Sequence, residues 1–288
     1  MLKKLFVVIA LSYITSAIAG HVSSEYAMVV DENSGKVLFE KNSETPVPIA
    51  SLTKLMTAMV ILDSKPDMNA LIDIEPCDVD TLKHSTSYVP VGTTLPRKSI
   101  LQLALMSSDN RAAAALARTY PGGNKAFVTA VYAKLVTLGM DHTVLVEPTG
   151  LSPNNMATAS DLVKMAEAAA KYPDIVRITT NQNDLINING RYIQYHNTNR
   201  LVGQKGWQIL LSKTGYTSEA GRCLIMRIQS SGRNVILVLL NAKASSARML
   251  DAARIRSFVD GDMMSISDSS PAMHERHLGR HHTRTSEI

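Results

Sequence analysis

The sequence predicts a mixed α/β (α+β) fold, with one antiparallel sheet built from both ends of the chain and a helical lobe inserted between them. Three observations carry this expectation. β-Prone runs lie at both ends of residues 20–260, the middle is rich in Ala, Leu and Met, and 45% hydrophobic content supplies a core for one two-lobed domain.

At the N-terminus, Lys3 and Lys4 precede the apolar stretch Leu5 to Ile14, and Ala17, Ile18 and Ala19 form a small-residue cleavage site. Residues 1–19 therefore read as a secretory signal peptide. An apolar stretch this short does not favour an uncleaved anchor. Losing the leader takes the formal charge from +5 to +3. No segment couples dense Lys/Arg with aromatics, so a nucleic-acid partner is excluded.

The run "EYAMVVDENSGKVLFEKN" gives two strands, Tyr26 to Val30 and Lys36 to Glu40, around the turn residues Asn33, Ser34 and Gly35. Helices are expected over 52–63, 99–120, 124–138 and 159–171. Three strands follow at 208–213, 221–229 and 234–241, with Gly232 in the last turn. An amphipathic helix over 245–259 closes the domain, its apolar positions including Met249, Ala252, Ala253, Phe258 and Val259. Residues 261–288 lack an apolar period and read as a flexible tail. Its His274, His277, His281 and His282 have no fixed supporting shell, so no metal is expected. Cys77 and Cys223 leave two readings open: a disulfide in an oxidising compartment, or an inert thiol buried in the strand "GRCLIMRI".

The candidate chemistry begins in "ASLTKLMTA", where Ser51 and Lys54 share a helix face near an N-terminus. An amine serves as base to a serine hydroxyl only when burial or a neighbouring cation lowers its pKa. Alone, the pair fits an N-cap serine beside a solvated lysine equally well. Two further elements add to it: Ser108 and Asn110 (S-x-N) after an apolar run, and Lys213, Thr214 and Gly215 (K-T-G) in a β run. Ser152 and Asn154 are a second S-x-N match, but they lie in the Pro- and Gly-containing loop "EPTGLSPNN". Ser108 follows a helical run that can hold it rigidly, so it is the better candidate.

With these elements in this order the sequence resembles the penicillin-recognising serine transferases. Segments such as "PIASLTKLMTAMVILD", "LGMDHTVLVEPTGLSPNN" and "SKTGYTSEAGRCLIM" are similar to low-molecular-mass penicillin-binding proteins, and most of all to the D-alanyl-D-alanine endopeptidase branch. The resemblance covers about residues 25–260 and implies a β-lactamase/transpeptidase-like fold. It departs from the family at Glu147, where Asp is expected, and at Tyr88, where Arg is expected.

The resemblance implies Ser51 as nucleophile, Lys54 as general base and Ser108 as proton relay to the leaving amine. It implies that Asn110 orients Lys54 and the substrate amide, while Lys213 and Thr214 bind the substrate carboxylate and Lys213 helps lower the pKa of Lys54. Gly215 would let the substrate backbone approach the strand, and the backbone N–H groups of Ser51 and Tyr216 would form an oxyanion hole. No cofactor or metal is implied. The expected partners are peptidoglycan stem peptides and cross-links, with β-lactams as covalent inhibitors. The expected location is the periplasm, soluble or loosely associated with the envelope and without a transmembrane anchor in the mature chain. Other readings are a D-Ala-D-Ala carboxypeptidase, a β-lactamase using Glu147 as an extra base, a non-catalytic cell-wall or antibiotic sensor, and an amidase or esterase of the same fold.

Overall fold

The computed structural model describes residues 22–261. The expected leader, and the tail beyond Gly261 with its histidines, lie outside the described residues.

In chain order the elements are β1 (Tyr26–Asp31), β2 (Val37–Lys41), β3 (Val47–Pro48), a 3₁₀ turn at Ala50–Leu52, α1 (Thr53–Asp63), β4 (Leu71–Asp73), β5 (Thr94–Pro96), α2 (Arg97–Met106), α3 (Asn110–Arg118) and α4 (Gly123–Thr137). Then come β6 (Met156–Ala157), α5 (Ala159–Ala169), α6 (Pro173–Thr180), β7 (Asn183–Ile188), β8 (Arg191–His196), β9 (Gln208–Thr217), β10 (Gly221–Ser230), β11 (Arg233–Ala242) and α7 (Ser245–Asp260).

The main sheet has the order β2-β1-β11-β10-β9, with antiparallel neighbours throughout, so the two chain ends meet where β1 pairs with β11. Side chains alternate across it. Leu224, Met226 and Ile228 face a core shared with Ala252, Ile255 and Val259 of α7, whereas Cys223 and Ile225 face the helical lobe. Burial on both faces explains the unbroken apolar run of β11. At the centre of the lobe, α1 is buried from Thr53 through Ile61, with Lys54 enclosed among mostly apolar side chains.

Three local differences from the sequence expectation have physical causes. The helix expected over 99–120 is two helices, α2 and α3, because Asp109 caps α3 by accepting from Ala112 N at 2.9 Å and Ser108 adopts φ +61°. The serine of S-x-N thus stands in a rigid break between helices. Residues 183–196 form an unanticipated hairpin whose turn, Asn189-Gly190, has φ +51° and +83°, the left-handed pair that a two-residue turn requires. Pro173 opens α6, a helix the periodicity did not announce. Elsewhere β9 continues past Lys213 to Thr217, so K-T-G lies within an edge strand.

Candidate active site

Ser51 is half-buried in the 3₁₀ turn that leads into α1. Two glycines press on that turn. A Cβ on Gly215 would stand 3.0 Å from both Ile49 O and Ser51 N, and one on Gly150 would stand 1.9 Å from Ala50 O. Gly215 therefore admits the backbone of the Ser51 turn itself. The sequence reading gave Gly215 the role of letting the substrate backbone approach the strand.

Lys54 lies one turn into the structure from Ser51, and only 1% of its surface is exposed. Its Nζ donates to Ser51 Oγ (2.9 Å), Asn110 Oδ1 (2.7 Å) and the Thr149 carbonyl (2.6 Å). When neutral, the amine keeps two donors for the carbonyl-type oxygens and turns its lone pair to the serine hydroxyl. Burial lowers its pKa to about 8, against the opposing pull of Glu147, Asp109 and Asp80.

Across the cleft, Lys213 is equally buried and donates to Ser108 Oγ at 2.9 Å and to the Thr214 carbonyl at 3.0 Å. Its pKa falls well below the usual lysine value, chiefly through burial and then through repulsion by Lys54 and Arg248. The two ammonium groups disfavour each other's charge. Burial is what lowers Lys54.

Asn110, at the start of α3, is held from both ends. Its Nδ2 donates to Ser85 Oγ at 2.7 Å, which fixes Oδ1 towards Lys54. Ser85 is in turn held by Asp80, which accepts from Ser85 N at 2.8 Å. At position 88, where the family pattern has Arg, Tyr88 is 72% exposed, and the loop is tied instead by Ser87 Oγ to Asp109 Oδ2 (2.8 Å) and by an Arg111 contact to the Val89 carbonyl. Lys83 pairs with Glu219, so the same loop reaches the β9–β10 turn.

Glu147 accepts from the backbone N–H of Thr149 (2.7 Å) and Gly150 (2.6 Å), from Thr149 Oγ1 (2.5 Å) and from Asn155 Nδ2 (3.0 Å). Its carboxylate organises the loop that presents the Thr149 carbonyl to Lys54. A carboxylate so fully engaged is poorly placed to activate water.

The cleft, about 520 Å³ in volume, is lined by Ser51, Ser108, Asn110, Thr214, Gly215 and Tyr216. All eight residues proposed from the sequence, including Lys54 and Lys213 through their bonds to Ser51 and Ser108, gather here. Ser152 and Asn154 do not line it. The sequence reading missed Thr198, whose Oγ1 accepts from Thr214 Oγ1 at 2.7 Å, and three arginines, Arg200, Arg222 and Arg248, that line the cleft. Nothing in their local sequence distinguishes these arginines from solvated ones. The Thr149 carbonyl was also missed, since a backbone acceptor leaves no sequence signature.

Cys77 is exposed and Cys223 buried, and both are free thiols, with burial pushing Cys223 up to about 11. No helix among the described residues is long and apolar enough to cross a membrane.

The D-alanyl-D-alanine carboxypeptidase family model matches residues 13–244. A D-alanyl-D-alanine endopeptidase of Pseudomonas aeruginosa is 42% identical over 267 residues, 90% of this chain and 86% of the relative. One of Escherichia coli is 41% identical over 255 residues, 88% of this chain and 82% of the relative. The crystal structure of the Streptomyces K15 DD-transpeptidase superposes with a TM-score of 0.77 at 25% identity, covering 82% of this chain and 97% of that one. The match of motif, fold and length makes this chain a member of the D-alanyl-D-alanine carboxypeptidase family of serine-type hydrolases.

Proposed function

We propose that the protein is a periplasmic serine DD-peptidase that cleaves D-alanyl amide bonds in peptidoglycan, chiefly the D-Ala to diaminopimelate cross-link, through an acyl-enzyme on Ser51. The observation that carries this reading is the buried Lys54 amine, 2.9 Å from Ser51 Oγ, in a cleft with Lys213 on its other wall. The relatives' endopeptidase activity supports the choice of bond.

In this mechanism neutral Lys54 takes the Ser51 proton as Oγ attacks the D-alanyl carbonyl. The oxyanion rests on the backbone N–H groups of Ser51 and Tyr216, donors worth about 10²–10³ in rate each. Ser108 passes a proton to the leaving amine while Asn110 holds Lys54 and the substrate amide. Lys213 and Thr214 take the carboxylate next to the scissile bond, with Arg248 beside them. Water then cleaves the ester with Lys54 again as base.

The substrate carboxylate has a second effect. It favours charge on Lys213, and that charge disfavours a proton on Lys54. The acylating form of the free enzyme has Lys54 neutral, so kcat/KM is expected to rise with pH through a midpoint near 8. For kcat the midpoint lies lower, because carboxylate on Lys213 is already in place. A pH–rate series on a soluble D-alanyl substrate checks both; coincident midpoints contradict the coupling.

A β-lactamase needs a base to hydrolyse the acyl-enzyme quickly, and Glu147 is engaged in its own loop. β-Lactams are therefore expected to acylate Ser51 and stay. Incubating purified protein with dimeric muropeptides and weighing the products tests the choice of bond. Splitting of dimers to monomers supports the endopeptidase; loss of only a terminal alanine mass makes the protein a carboxypeptidase.

A further inference from the structure

Beyond Thr214 the cleft ends at the N-terminus of α7. Ser245 and Ser246 line it there, the preceding Ala244 offers no side-chain cap, and the first turn carries no acid. The first N–H groups of a helix have no partner within the helix and carry partial positive charge. Two guanidinium groups point the same way. Arg248 is 7% exposed, donates Nη1 to the Cys223 carbonyl at 3.0 Å, and leaves its buried Nε without a partner. Arg222 sits over Tyr216, its Cζ 3.5 Å from the ring centroid, and its buried Nε is unpartnered too.

No Asp or Glu lines the cleft, and among the described residues none forms an ion pair with Arg200, Arg222 or Arg248. A single carboxylate does not need this much positive charge. Lys213, Thr214 and Arg248 suffice for the one beside the scissile bond.

We infer that Arg222 and the N-terminus of α7 form a second carboxylate subsite, which binds a further carboxylate on the leaving peptide fragment. The inference rests on the endopeptidase reading. When the leaving group is free D-alanine it has only one carboxylate. When it is the diaminopimelate of a neighbouring stem, the residue continues at its other end into peptide that terminates in another. Contact with the Tyr216 ring holds the Arg222 guanidinium in place in advance, and a planar guanidinium suits two-point binding of a carboxylate. Arg222 is thereby a specificity-determining residue for cross-links over free peptide ends.

The test uses Ser51→Ala protein, which retains the cleft and cannot be acylated. Its affinity is measured by calorimetry for the dipeptide diaminopimelyl-D-alanine and for the same dipeptide amidated at its C-terminus. The free acid is expected to bind about tenfold more tightly, as a charge-assisted contact allows. Adding Arg222→Gln should abolish the difference, and Arg222→Lys should restore part of it. Ser246→Glu, at an exposed position where an acid suits the helix terminus, should abolish it independently of any folding effect at Arg222. Equal affinity for the two dipeptides, or a difference that survives both Arg222→Gln and Ser246→Glu, overturns the subsite. If the two dipeptides differ as expected but wild-type protein leaves dimers uncut, the subsite stands and the endopeptidase reading falls.

Discussion

Lys54→Met protein is expected to lose Ser51 acylation by about 10⁴-fold, the upper end for a positioned general base, while still folding. Methionine fills nearly the same buried volume and removes the desolvation that burying an amine entails. It leaves Asn110 Oδ1 and the Thr149 carbonyl without their donor, a loss of about 1–3 kcal/mol per unsatisfied group that the relieved desolvation partly offsets. Lys54→Arg separates the two roles of the residue. Arginine donates hydrogen bonds but does not deprotonate near neutral pH, so it too is expected to be inactive. Stopped-flow acylation of the three proteins, each with a thermal melt, makes the comparison. An active Lys54→Arg protein would remove Lys54 from the base role.

Gly150→Ala is expected to destabilise the fold by about 3–5 kcal/mol, in the range of severe core strain. The added Cβ would sit 1.9 Å from Ala50 O and 2.8 Å from Ser51 N, and φ at this position is +86°. Alanine tolerates that φ at a cost of about 1–2 kcal/mol, so most of the effect is the collision with the Ser51 turn. Because the turn must retreat, acylation is expected to fall by about 10²-fold in whatever protein folds, as misplacement of about 1 Å can produce. Gly190→Ala supplies the control. Its φ is +83°, but a Cβ there meets nothing within 4 Å, so only the backbone strain remains. Urea midpoints for the two variants should differ accordingly, and equal midpoints would contradict the clash.

The side chains that gather in the cleft were legible in the sequence because they lie in short motifs: S-x-x-K on one helix turn, S-x-N and K-T-G. Their convergence follows from the sheet closing on both chain ends, which the β-prone termini announced. What the sequence hid was carried by backbone and by distance. Gly150 and the Thr149 carbonyl act through main-chain atoms, and Glu147 acts by holding that main chain, so no residue pattern marks them. Arg248 reaches the cleft from α7, 35 positions beyond Lys213, on a helix that otherwise reads as a covering layer. Two of the unanticipated features do carry local signals. Asn189-Gly190 is a strong two-residue hairpin signal, and the polar run Ser107-Ser108-Asp109 inside an apolar helix pattern is a cap signal.

Activation of Ser51 by Lys54 as a nucleophile in an acyl-transferring cleft is read out by mass spectrometry of the intact protein after brief exposure to benzylpenicillin, followed by peptide mapping. One adduct of the full penicillin mass per chain is expected, on the peptide containing Ser51, absent from Ser51→Ala and nearly absent from Lys54→Met. An unmodified protein, or an adduct on any other residue, would contradict it.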